Sequence, residues 1–413
     1  LSLLKQAFDE IGIGAQIRQS DFREFRQILS KTTKDQIVVS AVAKAATSFG
    51  GHCGFRYELH GSRTICCVDS YTTLLVLRKI ANNLRVLTPS DPSERSRIVK
   101  VLLLALKAEP SYRIYRFDIR RFFDSLDVPD VLSRIEGGSI SQRTRELLSH
   151  VLSEYSAAGH QGIPTGLGIS AVLSELAMKR FDEHVRSLGN VIYFARFVDD
   201  IIIVTSGKEN PLDFEADIVR KLPKGAKFGV AKLNRVLIPK VDHGSADVLG
   251  RFEYLGYSFT VRDVIVDKNK SARAVEVELC NRSLNRVRTR IAKAFRQFKR
   301  DGQFDDLYMR ILYLTSNYRL FDPLVNRKRL AGVHHNHPYL SFHRNNSLQR
   351  LDLALRAFIF SSPSIRGTSD ITLTTQQKQE LMKRSFVRGH KNKEYFSFSI
   401  KSLARIKRCW FNG

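Results

Sequence analysis

Apolar residues recur at helical spacing near the start of the chain, at Leu4, Phe8 and Ile11 and again at Phe22, Phe25, Ile28 and Leu29. Positions three and four apart share one helix face, so residues 1–50 are predicted helical. The period then drops to two. FRYEL and RTICCV flank His60-Gly61, which predicts a hairpin over residues 55–68. Helical spacing returns in YTTLLVLRKIANNL and, after Pro92, in SERSRIVKVLLLALKAE. YRIYRFDI alternates as a strand with Tyr115 and Phe117 on one side, FFDSLDVPDVLSRI is helical, and a helix follows GIPTGLGIS to about Val185. A hairpin is expected around Asp199-Asp200, and FEYLGYSFTV reads as a short strand ending near residue 261. From residue 271 the spacing is helical, with Leu284, Val287, Ile291 and Phe295 on one face of residues 281–300 and Arg or Lys on nearly every turn beside them. The expected fold is therefore α+β: residues 1–270 hold an antiparallel sheet, and residues 271–413 form a basic, all-helical domain.

Charge sharpens this picture. The 413 residues carry a net +26. Residues 271–413 contribute 28 Lys and Arg against 10 Asp and Glu, or +18 of that total. Such an excess repels itself unless a polyanion compensates it, so nucleic acid is the expected partner. A basic structural protein is the alternative, but those are usually shorter and richer in Gly, Lys and tails. No apolar run reaches the roughly 18–20 residues of a membrane span. LSLLKQAFDE lacks the basic start and long apolar core of a secretory signal. The five cysteines form no CxxC pair, which disfavours a zinc ribbon or disulfide framework and points to a reducing cytoplasm.

FARFVDDIIIV sets Asp199 and Asp200 inside an apolar run. Burying an unpaired carboxylate costs several kcal/mol, so a partner is required: a basic side chain such as Arg196, or a metal. Asp118 sits where the strand YRIYRFD breaks into a turn. If the two strands are neighbours, Asp118, Asp199 and Asp200 converge. Three carboxylates that close raise one another's pKa unless divalent cations neutralise them. Hard oxygen ligands suit Mg²⁺, with Mn²⁺ as an alternative, and two such ions form the general device for phosphoryl transfer.

Over residues 50–260 these motifs resemble, in order, the fingers and palm of reverse transcriptases. DIRRFFDSL resembles the first palm motif, GIPTGLGIS the template- and nucleotide-facing motif, FVDD the aromatic-x-Asp-Asp box and FEYLGYSF the primer grip. The resemblance implies catalysis and metal binding by Asp118, Asp199 and Asp200, with the Ile119 carbonyl as a further ligand. Phe123 matches the aromatic gate under the sugar, where a flat ring leaves no space for a 2′-hydroxyl; Phe122 is core. Arg56 and Arg63 match the hairpin residues that hold the incoming triphosphate, since guanidinium forks suit phosphate oxygens. Thr165 and Gly166 face the nucleotide, and Gly162 and Gly166 allow close backbone approach to the base pair. Lys240, with Lys232 as competitor, matches the base that serves the leaving pyrophosphate. Leu255, Gly256 and Tyr257 form the core of the grip.

Many reverse transcriptases carry Gln at the position of Thr165. GIPTGLGIS with AVLSELAM is instead similar to the bacterial abortive-infection, defence-associated (unknown-group) branch. LYMRILYLTSNYRLFD, LAGVHHNHPYL and KRSFVRGH resemble that branch's helical extension, which replaces or extends the thumb. The branch implies deoxynucleotide substrates, a DNA product and a homo-oligomer, and allows untemplated synthesis started on a tyrosine. The alternatives are a nucleic-acid-binding scaffold with a polymerase fold and a conventional retroelement enzyme copying an RNA template. Retron, intron-maturase and viral RNA-polymerase signatures are absent. His334, His335 and His337 are expected in a surface turn rather than on a metal. Asp124 and Asp127 are expected to cap or face solvent, and Tyr308, Tyr313 and Tyr318 to pack.

Overall fold

A computed structural model describes the chain except for residues 1–2, 19–20, 22–33, 62, 89–93, 137–138, 230–233, 241–247, 268–269, 323–326, 361–372 and 412–413. The helical spacing at Phe22, Phe25, Ile28 and Leu29 falls outside the described residues, as do Pro92 and Lys232. In chain order the principal elements are α1 (Glu10–Gly14), α2 (Lys34–Ala46), β1 (Phe55–His60), β2 (Arg63–Val68), α3 (Tyr71–Leu84), α4 (Arg95–Leu106), β3 (Tyr112–Asp118), α5 (Phe122–Ser125), α6 (Val128–Glu136), α7 (Gln142–Ala157) and α8 (Gly168–Ser187). Then come β4 (Val191–Phe197), β5 (Asp200–Thr205), α9 (Pro211–Arg220), β6 (Asn234–Ile238), β7 (Val248–Tyr254), β8 (Tyr257–Asp267) and β9 (Lys270–Leu279). The remainder is α10 (Asn281–Asp301), α11 (Phe304–Thr315), β10 (Asn317–Asp322), β11 (Arg327–Gly332), α12 (Ser347–Phe360), α13 (Thr375–Met382), α14 (Phe386–Lys391) and α15 (Ile400–Phe411).

By contact the chain forms two compact units: residues 1–94 with 111–237, and residues 95–110 with 238–413. In the first, a sheet of order β4-β5-β3-β6 carries the core. β5 reads IIIV, and Ile201 to Val204 are wholly buried, so both of its faces are covered. Tyr115 and Phe117 oppose Ile203 and Ile201, and all four join the main core beside Leu75, Ile80 and Phe181. Parity places Arg116, Asp118, Asp200 and Ile202 on the other face. The β1–β2 hairpin pairs His60 with Arg63 around Gly61, as its sequence predicts.

The second unit holds an antiparallel sheet, β7-β8-β9, and the basic helices. Here two expectations change. FEYLGYSFTV is not one strand but two, because Leu255 (φ 45°) and Gly256 (φ 78°) form a two-residue turn with Tyr254 paired to Tyr257. Residues 271–413 are not all helical either: β9 extends to Leu279, and β10 pairs with β11 across Asn317–Gly332 contacts that end the helical run. RKRLAG and NYRLFD alternate enough to form a hairpin, and Asn317 anchors it by donating from Nδ2 to the carbonyls of Gly389 and Glu394, each at 3.1 Å. α10 is amphipathic as expected, burying Leu284, Ile291, Ala294, Phe295 and Phe298.

The LAGVHHNHPYL and KRSFVRGH segments meet. His334 and His390 rings lie 4.8 Å apart, and His390 Nε2 is 2.9 Å from the His337 carbonyl. The turn is therefore packed rather than an open surface turn. Asp352 closes α14 by accepting from Ser385 Oγ at 2.7 Å and from the Phe386 amide at 2.6 Å. Tyr313 and Tyr318 are buried and stacked at 4.3 Å, as predicted.

Candidate active site

Strand parity brings two of the acids together. Asp118 at the end of β3 lies directly opposite Asp200 at the start of β5. The Ile119 amide donates to the Asp199 carbonyl at 3.2 Å, and the Gly229 amide donates to the Asp118 carbonyl at 2.8 Å. Asp118 and Asp200 are thus a non-hydrogen-bonded pair, the narrow kind, in which Cα atoms lie roughly 4.5 Å apart and side chains are closest. Asp199 occupies the two-residue turn between Phe197 and Asp200. Since the Ile119 amide faces Asp199, its carbonyl leaves on the same strand edge.

These donors are all hard oxygens, and the set fits Mg²⁺. Among the described residues Arg116 approaches Asp200, with its Nη2 3.8 Å from Asp200 Oδ1, an ion-pair distance longer than a hydrogen bond. Arg196 is not the partner of the Asp-Asp pair. It lies buried beneath the turn, donating from Nη2 to Glu175 and to Asp182 at 2.7 Å each, and from Nη1 to the Val198 carbonyl at 3.1 Å. Its two acids stand seven residues apart on one face of α8. This anchor was missed in the sequence, although an Arg two residues before a turn and acids at i, i+7 were there to be matched. Val198 has φ 61°, a rare conformation for a β-branched residue.

The surrounding motifs are stitched by backbone. The Ile163 amide donates to the Phe123 carbonyl at 3.0 Å, and the Cys66 amide donates to the Thr165 carbonyl at 2.7 Å. Phe123 is partly exposed beside buried Phe122, as expected. A Cβ on Gly162 would come within 2.1 Å of the Phe123 carbonyl oxygen, and one on Gly166 within 2.7 Å of the Cys66 carbonyl oxygen. Both glycines are therefore required by neighbouring protein backbone. Arg56 is exposed and held by Glu58 and Asp69, with Nε to Asp69 Oδ1 at 3.0 Å. Arg63 is exposed with no ion pair among the described residues. Asp127 caps α6 through the Asp130 amide at 2.9 Å, and Asp124 is exposed.

Lys240 and the Leu255-Gly256-Tyr257 turn belong to the second unit. Lys240 is exposed. Leu255 and Tyr257 are buried, and Arg95 donates from Nε to the Leu255 carbonyl at 3.0 Å while lying 5.3 Å over the Tyr257 ring. The turn thus offers backbone rather than side chains. Elsewhere, Cys53, His150 and Glu154 bring three ligating atoms within 4.8 Å. Glu154 already accepts from the Cys53 amide at 2.7 Å, and burial pushes the Cys53 thiol up, away from the thiolate a metal needs.

No curated protein matches the sequence. Three solved structures with some likeness are of telomerase. Apo telomerase from Candida tropicalis truncated from its C-terminal domain is 16% identical, with 45% of this chain and 42% of that chain covered at a TM-score of 0.31. Apo telomerase from Candida tropicalis is 13% identical over 87% of this chain and 65% of that one at 0.36. Telomerase from Candida albicans with a fragment of telomeric RNA is 12% identical over 81% and 53% at 0.32. This chain spans less than two thirds of each, and scores this low carry no argument. The family comparison reaches further: residues 63–259, just under half of the chain and including all three aspartates, match the reverse transcriptase (RNA-dependent DNA polymerase) family.

Proposed function

We propose that the chain is a DNA polymerase of reverse transcriptase type that extends a 3′ hydroxyl with deoxynucleotides and serves bacterial antiphage defence. The observation that carries the catalytic part is the narrow pairing of Asp118 with Asp200 beside Asp199, inside the matched domain. Two Mg²⁺ ions, replaceable by Mn²⁺, would be held by Asp118, the Ile119 carbonyl, Asp199 and Asp200, and would supply charge neutralisation for the transferred phosphoryl group. Arg63 binds the triphosphate as it stands; Arg56 does so on exchanging Glu58 and Asp69 for phosphate. Phe123 lies under the sugar, Thr165 and Gly166 border the nucleotide, the 255–257 turn holds the primer strand, and Lys240 serves the leaving pyrophosphate.

The defence role is supported by the resemblance of GIPTGLGIS and the C-terminal segments to the abortive-infection branch. With it come a basic region from residue 271 acting in place of a thumb, synthesis without a template, a tyrosine as first primer and assembly as a homo-oligomer. Buried Tyr313 and Tyr318 present no hydroxyl for priming, whereas Tyr395 is 44% exposed. No described helix is long and apolar enough to cross a membrane. A cytoplasmic setting belongs to the same proposal.

The test is synthesis by purified protein with Mg²⁺ and deoxynucleotides, with and without RNA template, followed by sequencing of the product before and after protease. Polymer is expected, and Asp199→Ala with Asp200→Ala should abolish it. No polymer under any of these conditions overturns the reading. Phage protection undiminished in the double variant would favour a binding scaffold.

A further inference from the structure

We propose that a cationic, aromatic pocket in the second unit, between α10, α11 and α15, binds one nucleotide, its phosphate on the Arg and Lys groups and its base against Trp410. This rests on the polymerase reading for the source of the nucleotide, not for the chemistry of the pocket. The cavity measures about 420 Å³ and is lined by Arg286, Arg290, Lys293, Lys407, Tyr313 and Trp410, with the Thr289 hydroxyl beside them. That volume lies in the range of small-ligand sites, which run from about 300 to 1,000 Å³.

The sequence builds it locally. Arg286, Thr289, Arg290 and Lys293 recur at i, i+3, i+4 and i+7, so they form one stripe of α10 next to its buried apolar face. Lys407 and Trp410, three apart, present one side of α15. Trp410 Nε1 donates to the Arg290 carbonyl at 3.0 Å, which fixes the indole edge, and the indole ring lies 5.7 Å from that of Tyr313. The Arg290 guanidinium lies 5.5 Å over that ring, and Lys407 Nζ is 6.0 Å from the Tyr313 ring centre.

Among the described residues four cations line the cavity and no acid does. The acid of α11 nearest in the chain, Asp306, is already engaged by Arg405 at 2.7 Å and by Arg310 at 3.3 Å. Burial, then the charge of Arg290, pulls the Lys407 pKa below its ordinary value, a cost that a bound anion reverses. Phosphate alone would satisfy the cations but has no use for an indole. A nucleotide uses both, since bases stack on aromatic rings at about 1–3 kcal/mol each while cations follow the backbone. The nucleotide can belong to a single strand or be a free deoxynucleoside triphosphate.

Trp410 is the single tryptophan of the chain, so its emission reports on this pocket alone. Full-length protein is titrated without Mg²⁺ with a single-stranded oligodeoxynucleotide, with a deoxynucleoside triphosphate and with tripolyphosphate. Saturable quenching by the oligonucleotide is expected, with Lys407→Gln weakening it about tenfold and lowering the salt slope by about one. Arg286→Gln, on the exposed side, is the second variant should Lys407→Gln fail to fold. Quenching by the free triphosphate at equal affinity also supports the site and identifies a free nucleotide as occupant. Absence of quenching, equal affinity for tripolyphosphate, or no change in either folded variant overturns it. Asp199→Ala with Asp200→Ala should leave quenching intact, so loss of synthesis and loss of pocket binding are read separately.

Discussion

The Arg196 guanidinium spans two carboxylates of α8 and the carbonyl of Val198, 3.1 Å away in the turn that presents Asp199. With only 4% of its side chain exposed, Arg196 fixes a strained turn from below. Removing one partner of a buried ion cluster leaves the rest uncompensated, at roughly 3–5 kcal/mol. Arg196→Met should therefore destabilise the protein by about 3 kcal/mol in urea denaturation. Arg196→Lys keeps the charge but cannot bridge three acceptors, so it should restore more stability than synthesis rate. Equal stability of Arg196→Met and wild type would refute this anchoring role.

Opposed carboxylates in a narrow strand pair predict a metal-linked stability. Mg²⁺ that binds the folded protein should raise the melting temperature by mass action, about 2.7 kcal/mol at a hundred times its dissociation constant. In Asp118→Asn the rise should vanish. A calorimetric scan with and without chelator reads this without any polymerase assay, and an undiminished rise in the variant places the ions elsewhere.

Gly162 and Gly166 combine left-handed φ (72° and 110°) with backbone closer than a Cβ tolerates. Gly159 shares the left-handed φ (85°) but faces open space. Gly159→Ala should cost about 1 kcal/mol, the conformational part alone. Gly162→Ala and Gly166→Ala should cost clearly more, about 2 kcal/mol or above, in the same denaturation series. Three equal losses would mean that the close approaches relax.

Phe123 is held by its carbonyl, so its ring can be removed without moving the loop it anchors. Phe123→Val should accept ribonucleoside triphosphates at a rate nearer that of deoxynucleotides, with little change in melting temperature. Unchanged sugar preference in a folded, active variant would remove Phe123 from the sugar site.

The histidine turn gives a pH dependence. Desolvation, then the charges of His390, His335 and Lys393, lowers His334 to about 4; desolvation, then Arg95, His390 and Arg286, lowers His337 to about 3. Both are neutral when folded and bind protons more readily unfolded, with an ordinary value near 6.5. Their contribution is complete above about pH 6.5 and is lost as pH falls toward 4. Urea midpoints followed by Trp410 emission should drop between pH 7 and 4.5, and His334→Gln should flatten that drop. A parallel drop in the variant would assign it to other groups.

Much of the architecture was legible because it is written in local pattern. Alternation around Tyr115 and Phe117, the apolar run IIIV and the spacing in YTTLLVLRKIANNL each describe one element that packs one or two faces. The β7–β8 turn was not legible, since Leu255 in a left-handed conformation contradicts its own preference and is held there by Arg95 from far along the chain. The β10–β11 hairpin was hidden for a related reason: its strands are short, the second is basic, and Asn317 stabilises them through the carbonyls of Gly389 and Glu394.

By itself, the order of residues determined which segments alternate, which wind as helices and that Asp118, Asp199 and Asp200 end up at strand termini. Tertiary structure alone decided that Asp118 faces Asp200, that Arg196 serves α8 and Val198 instead of the aspartates, and that Gly166 lies against Cys66. The physical reason is range: backbone preference and hydrophobic period act over a few residues, whereas strand register, ion-pair choice and close backbone approach are settled by groups brought together from tens to hundreds of positions apart.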